Sequence, residues 1–347
     1  MNERDARVPA PIKVIGVGGG GCNAVRRMMA KPTPGVQYIV CNTDIKSLDS
    51  CPTDVLSVQI GEHITRGFGA GGDMAVGAKA AEEGRFLLKR ALKDAELVFV
   101  TAGMGGGTGT GAAPVVAQIA KESKALVIAV VTTPFSFEGK RRFSLALTGI
   151  RRLRPEVDNL IIIHNDRLLQ FCESNVPTQH AFSVADEAVS EGILAVSNLV
   201  NVSGEINVDL ADVKAVMGIP GGALLAIGKA DSKSRYPAQE AAEQAIQNPL
   251  LDIDIKGAKG ILFNFTGGPD LTLGEVNDAA NLIAREVDTG ALMFFGMSTP
   301  SEEMRNVVKI TLIATGIHPP LPTSWLAEMG ETIKEVLTGH KRPGSYR

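Results

Sequence analysis

Short apolar runs alternating with amphipathic segments fill the first half of the chain. The runs Ile12–Val17 (IKVIGV), Val36–Asn42 (VQYIVCN), Leu56–Ile60 (LSVQI), Glu96–Thr101 (ELVFVT), Ala125–Thr132 (ALVIAVVT) and Asn159–His164 (NLIIIH) are rich in β-branched residues. Their hydrophobicity is nearly continuous, which predicts strands covered on both faces; a strand with one wet face alternates instead. The segments AVRRMMA, DMAVGAKAAEEGRFLLKRAL and APVVAQIAKES between them carry helical patterns that can supply the cover. The expected architecture is an α/β, doubly wound parallel sheet, in which ligands sit beyond the carboxyl ends of the strands.

From Thr178 the pattern changes to one long helix reaching about Val200, with Val189, Ile193, Val196 and Val200 forming a buried stripe at spacings of four, three and four. Beyond it come a helix start in NVDLADVKAVM, a strand ALLAIGKA, a helix PAQEAAEQAI, then GILFNFTG, EVNDAANLIAREV, LMFFGM and VVKITLIATG. These predict a second, smaller α+β domain. The expected organisation is an N-terminal segment over 1–11, a sheet domain over 12–177, a central helix over 178–202, the α+β domain over 203–317 and a tail over 318–347.

Composition narrows the function classes. The chain has 347 residues, 44% of them hydrophobic, enough to fill more than one core. Its 35 basic and 38 acidic residues leave a formal charge of -3, which gives no electrostatic footprint for wrapping nucleic acid or coating an anionic membrane. A local site can still be positive. The charged start MNERDARVPAP lacks the apolar core of a signal peptide, and the longest apolar run, ALVIAVV, is too short to span a bilayer. A cytoplasmic protein without membrane insertion is expected. Cys22, Cys41, Cys51 and Cys172 show no metal-ligand spacing, so reduced thiols are expected rather than a disulfide framework or a zinc site.

The strand ends hold the candidate chemistry. GVGGGGCNAV (Gly16–Val25), CNTD (Cys41–Asp44), GAGGD (Gly69–Asp73) and TAGMGGGTGTGAAPVV (Thr101–Val116) place bare backbone before helices, with Pro114 expected in the first turn of the last one. Glycine-rich backbone entering a helix gathers N–H groups in front of the positive end of the helix dipole, which makes a phosphate cradle. Tight turns or close helix–strand packing would also use glycine. Neither long glycine loop contains G-K-[ST], so backbone dipoles must replace the lysine of a Walker site. A triphosphate would need several such termini, with Mg²⁺ on the phosphates offsetting charge. A nicotinamide-binding oxidoreductase is the competing reading, with Asp44 as the ribose acid; it leaves GMGGGTGTG unused.

The motif GGGTGTG at Gly105–Gly111, with GGGGCNAV, NTD, TPFSFEGKRR, HNDRLL and NVDLADVKAVM, closely resembles the FtsZ division GTPases of the tubulin superfamily over about Ile12 to Ile317. The resemblance implies GTP and GDP as ligands and makes the first domain the nucleotide-binding one. Carried onto this chain, it assigns nucleotide contacts to Gly19, Gly20, Gly21, Cys22 and Asn23, to Asn42 and Asp44, to Ala70, Gly71 and Gly72, and to Gly103, Gly105, Gly106, Gly107, Thr108 and Gly109. In the fifth loop it adds Thr132, Pro134, Glu138 and Arg142, the last two for ribose and phosphate. Four residues apart, Glu138 and Arg142 would share one helical face. Without the resemblance the run Lys140, Arg141, Arg142 reads as a solvated face.

Phe182 and Asp186 are also four apart, and Asn165 follows the sixth strand. A carboxylate accepting two hydrogen bonds suits guanine, whose N1–H and N2–H₂ both donate. Phe182 also reads as a core residue; the resemblance places it at the base.

Asn207, Asp209 and Asp212 cluster at a helix start, where acids act as caps. The long helix would put them roughly 30 Å from Phe182, out of reach of their own nucleotide. Head-to-tail stacking would bring them to a neighbour's, and such non-closing contacts build filaments. The resemblance implies that role: acids that complete the adjacent subunit's site and position the attacking water, in filaments of the cytokinetic ring at the division site, with adaptor or membrane-tether partners. A tubulin-like scaffold for DNA segregation or cell shape would carry the same GTP site. FtsZ proteins usually end in a long linker and a docking peptide; residues 318–347, ending HKRPGSYR, do not match that peptide and leave the mode of tethering open.

Overall fold

The computed structural model describes residues 12–168, 178–201, 206, 208–247, 255–268, 271–298 and 306–317. The expected N-terminal segment, the tail, the 177/178 and 202/203 boundaries, Cys172 and Asn207 lie outside those residues.

Strands β1 (Ile12–Val17), β2 (Val36–Asn42), β3 (Leu56–Gln59), β4 (Leu97–Gly103), β5 (Leu126–Thr133) and β6 (Asn159–His164) form one sheet in the order β3-β2-β1-β4-β5-β6. Every pairing in it is parallel. The order reverses between β1 and β4, so the crevice beyond their carboxyl ends is the topological switch point. Side chains of β1 alternate between two cores: Ile15 and Val17 enter one, Ile12 and Val14 the other. Continuous apolar runs therefore meant two covered faces.

The connecting helices are α1 (Gly18–Met28), α2 (Ile45–Asp49), α3 (Glu62–Thr65), α4 (Met74–Glu83), α5 (Arg85–Ala91), α6 (Gly107–Glu122), α7 (Lys140–Leu153) and α8 (Asn165–Leu168). Helices α4 to α7 cover one face through residues such as Ala81, Leu88, Val116 and Ile150. Three expectations are corrected. The segment after Asp73 is two helices, broken where Gly84 presses on Ile60 so closely that a Cβ would lie 2.6 Å from its Cγ2. Pro114 lies inside α6, because the helix begins back at Gly107; there the proline withdraws the N–H that would bond the Thr110 carbonyl. The third glycine loop follows α3, not a strand end.

The long helix α9 (Thr178–Asn201) carries the expected stripe. Val189, Ile193 and Val196 are buried in one cluster with Phe99, Ile128 and Val130 of the parallel sheet and with Leu262 and Ile313 of a second sheet. That sheet orders β7 (Gly222–Asp231), β10 (Val307–Ile317), β8 (Gly260–Thr266) and β9 (Leu292–Ser298). The β7–β10 and β10–β8 pairings are antiparallel, and β8–β9 is parallel. Helix α10 (Leu210–Met217) precedes it, while α11 (Pro237–Ile246) and α12 (Leu273–Glu286) pack on its far face.

Helix α11 sits unusually near the sheet because Ala238, Ala241, Ala242 and Ala245 face it and Gly228 receives them. A Cβ at Gly228 would fall 1.8 Å from the Ala241 carbonyl oxygen. Gly228→Ala is therefore expected to lower unfolding free energy by about 2–3 kcal/mol, measured by urea denaturation. A loss below about 0.5 kcal/mol would show that the helix can lift off freely.

Candidate nucleotide site

The loops after β1 and β4 are fitted to each other, backbone to backbone. An ideal Cβ on Gly18 would come 2.7 Å from the Gly109 nitrogen, one on Gly20 3.1 Å from the Gly103 nitrogen, and one on Gly21 2.4 Å from the Thr101 carbonyl oxygen. Gly107 meets the third loop in the same way, 2.9 Å from the Asp73 nitrogen. By contrast, a Cβ on Gly19, Gly71, Gly72 or Gly106 would meet nothing within 4 Å. Some glycines pack the cradle together; others leave its inner backbone bare. Close packing accounts for the first group; the second leaves backbone open, as a ligand cradle would require.

Side chains of α2, α4 and α10 cap their helices, through Asp44, Asp73 and Asp209. Helices α1 and α6 begin inside the two long glycine loops with no side-chain cap and no acid in the first turn. Their amide groups, backed by two helix dipoles at adjacent strand ends, suit a polyphosphate. Asp44 accepts from the Lys46 nitrogen at 3.0 Å, so its carboxylate is turned to its own helix. The loops are also cross-tied: the Thr43 and Thr108 hydroxyls lie 2.6 Å apart in a buried pair, and the Met104 nitrogen donates to the Thr132 carbonyl at 2.9 Å. Asn42 Oδ1 accepts from the Thr43 nitrogen at 2.8 Å, and Asn23 Oδ1 from Arg26 at 2.9 Å. Burial pushes the Cys22 thiol up to about 12 and raises Cys41 as well, so both stay neutral. Ala70 is buried beneath the third loop. Beside that loop, Gly71–Met74 share a cavity of about 450 Å³ with Arg141, Ser144, Leu145 and Thr148.

The fifth and sixth loops build the other end. Glu138 closes a one-turn helix (Ser136–Glu138), accepts from the Phe135 nitrogen at 2.9 Å and pairs with Arg142. The expected single helical face is corrected: Gly139, with φ 94°, separates that turn from α7, and the two side chains meet across the break. Pro134 lies against the loop at Gly105, 3.2 Å from where its Cβ would be. Phe182 is half exposed and set edge-on to Phe135 at 5.1 Å and Phe137 at 6.3 Å. Asn165 is buried, and its Oδ1 has no hydrogen-bond partner among the described residues. An orphan buried acceptor is costly unless a ligand satisfies it.

Asp186 accepts from Arg27 Nε at 3.3 Å. Burial raises the Asp186 carboxyl above its ordinary range, and Arg27 opposes that rise. Arg27, Phe137 and His164 went unnoticed in the sequence. Arg27 and Asp186 stand 159 positions apart, so no local spacing advertises the pair.

Asp209 and Asp212 cap α10 reciprocally, the Asp212 nitrogen donating to Asp209 at 2.9 Å and the Asp209 nitrogen to Asp212 at 3.2 Å. Helix α10 is anchored at the far edge of the parallel sheet. Lys214 pairs at 3.0 Å with Glu96, just before β4, and the Met217 carbonyl accepts from Asn159, the first residue of β6, at 2.7 Å. The glycine loops leave the opposite ends of those strands, roughly 20 Å away for a seven-residue strand.

Residues 11–173 match the Tubulin/FtsZ family GTPase domain, and residues 221–318 match the FtsZ family C-terminal domain. Fold and site thus define a GTPase of the tubulin type with a second, FtsZ-type domain. An empty FtsZ dimer from M. jannaschii is 41% identical, with a TM-score of 0.83 and 88% of each chain covered. A mutant FtsZ from the same organism is also 41% identical, with a TM-score of 0.84 over 89% of this chain and 92% of that one. A GTPgS-bound CetZ2 protofilament from Haloferax volcanii, 23% identical with a TM-score of 0.78 over 94% and 98%, shares the fold. The chain belongs to the FtsZ family. The competing nicotinamide reading shares the strand order but not these matches.

His164, just before Asn165, is held neutral: burial first, then Arg167, lowers its pKa to about 4. A base whose folded pKa is depressed contributes stability above its unfolded value of 6.5 and loses it as pH falls towards 4. The loss should approach about 3 kcal/mol, and His164→Gln should flatten it. Urea titrations of both proteins at pH 7 and 4.5 test this; parallel losses would assign the acid sensitivity elsewhere.

Proposed function

We propose that this protein binds GTP, polymerises head to tail, and hydrolyses GTP at sites completed by Asp209, Asp212 and Asn207 of the adjoining subunit, as the filament of a bacterial-type division ring in the cytoplasm. The observation that carries this reading is the opposition of the two ends: bare amide loops leave one edge of the parallel sheet, and the acid turn lies at the other. No subunit can fold its own acids onto its own phosphates across that distance. Stacked copies can. The dimeric FtsZ and the CetZ2 protofilament among the related structures support such association.

In this mechanism the amides of Gly19 to Cys22 and Gly105 to Gly109 hold the phosphates, and those of Ala70, Gly71 and Gly72 reach the terminal one. Gly103, Thr132 and Pro134 shape the wall beside them, with Asn23, Asn42 and Asp44 at the rim. Glu138 and Arg142 take ribose and phosphate. Phe182 stacks on the base, whose donors are read by Asp186 and by the orphan Asn165 acceptor. Mg²⁺ on the phosphates would offset their charge. The neighbour's acids then orient a water for in-line attack on the γ-phosphate. Adaptor or tether proteins would link the filament to the membrane.

Asp212→Asn keeps an acceptor for the Asp209 nitrogen, so the cap survives while the charge goes. The variant is expected to bind GTP and assemble, with phosphate release slowed about 100-fold; unaltered release would remove Asp212 from the chemistry. Turnover per molecule of the unaltered protein should rise steeply above a threshold concentration, in step with light scattering. A rate independent of dilution would mean a self-sufficient site.

A further inference from the structure

Glu191 lies on α9 five residues past Asp186, about 140° further round the helix. Asp186 therefore faces α1 while Glu191 faces the second sheet. Its Oε1 lies 3.3 Å from Lys229 Nζ on β7 and 3.7 Å from Lys309 Nζ on β10. The two lysines are direct partners in the antiparallel ladder. Like charges placed opposite each other repel, so a single carboxylate resolves both. Lys309 keeps only 18% of its side chain exposed; burial lowers its pKa and Glu191 opposes this. Gly192, next in the chain, seats the helix there: a Cβ would lie 2.5 Å from Leu225 Cδ2. On its other side α9 is tied to the first domain, with Ser190 donating to the Ala24 carbonyl at 3.2 Å and Thr33 to Asn198 at 2.8 Å.

We propose that Glu191, Lys229 and Lys309 are positioning residues that fix where α9 sits along the second sheet, and so, together with the Lys214–Glu96 and Asn159–Met217 ties, hold the acid-bearing turn at a set distance from the nucleotide end. This rests on the filament GTPase reading, because only hydrolysis completed by a neighbour depends on that distance. Displacing α9 would strand a largely buried ammonium beside a second one, which makes the seat narrow.

The full chain carrying Glu191→Gln tests this. GDP affinity below the assembly threshold should stay within about twofold, while turnover per assembled subunit falls about fivefold or more. The charge-swapped pair Glu191→Lys with Lys309→Glu, which keeps one carboxylate with two ammonium groups but moves it to β10, should recover part of the lost turnover. Hydrogen exchange on the unassembled, GDP-bound protein supplies a readout that needs no filament: amides of α9 and β7 should exchange about fivefold faster in Glu191→Gln, and those of α1 and β1 should not change. Unchanged exchange, or a swap that restores nothing, overturns the proposal. So does a fall in GDP affinity equal to the fall in turnover. If the unaltered protein shows no threshold, the filament reading fails and exchange alone decides the clamp. Lys229→Met, which leaves the Lys309 pair intact, should shift exchange in the same direction by less, and serves if Glu191→Gln does not fold; no shift in it overturns the clamp.

Discussion

The structure rests on backbone meeting backbone at the crevice between β1 and β4. Gly18 against Gly109 and Gly107 against Asp73 approach within distances that no Cβ would tolerate, and Gly20 against Gly103 comes nearly as close, so three loops meet there. A lysine-bearing loop can reach towards a phosphate with a long flexible cation. A cradle made of amides cannot reach, so its donors must already stand in place. Preorganisation of fixed dipoles is also what makes them effective, because nothing must be reoriented when the anion arrives. The uncapped starts of α1 and α6 belong to the same solution: a side-chain cap there would occupy the donors that a ligand needs.

The acids at the other edge are bound by an equally simple limit. Asp209 and Asp212 satisfy the first turn of α10, a capping role that the proposed chemistry would share. The turn is held by Lys214–Glu96 and Asn159–Met217 at strand entries, as far from the glycine loops as the sheet allows. Separation of the glycine loops from the acid turn is thus a property of the parallel sheet itself. All six strands run the same way, so their entries and exits form two different surfaces.

Much of this was legible in the chain. Buried parallel strands announce themselves as unbroken apolar runs, and all six appeared within a residue or two of their ends. The stripe on α9 and the glycine loops were equally plain. What failed were local details decided by distant contacts. The helix after Asp73 is interrupted at Gly84, where Ile60 leaves no room for a side chain, and α6 starts seven residues before Pro114, among glycines that nest against other loops. Arg27 at Asp186, Phe137 beside Phe182 and the neutral His164 are products of folding that bring remote positions together. Periodicity reports which face is buried, not which partner waits there.

Helix α9 contributes one stripe to a cluster that includes side chains of both sheets. Such a shared interior joins the two recognisable architectures through one set of apolar contacts. Either half produced alone would present Ile193 and Val196, or the strand residues that cover them, as a raw oily surface prone to self-association.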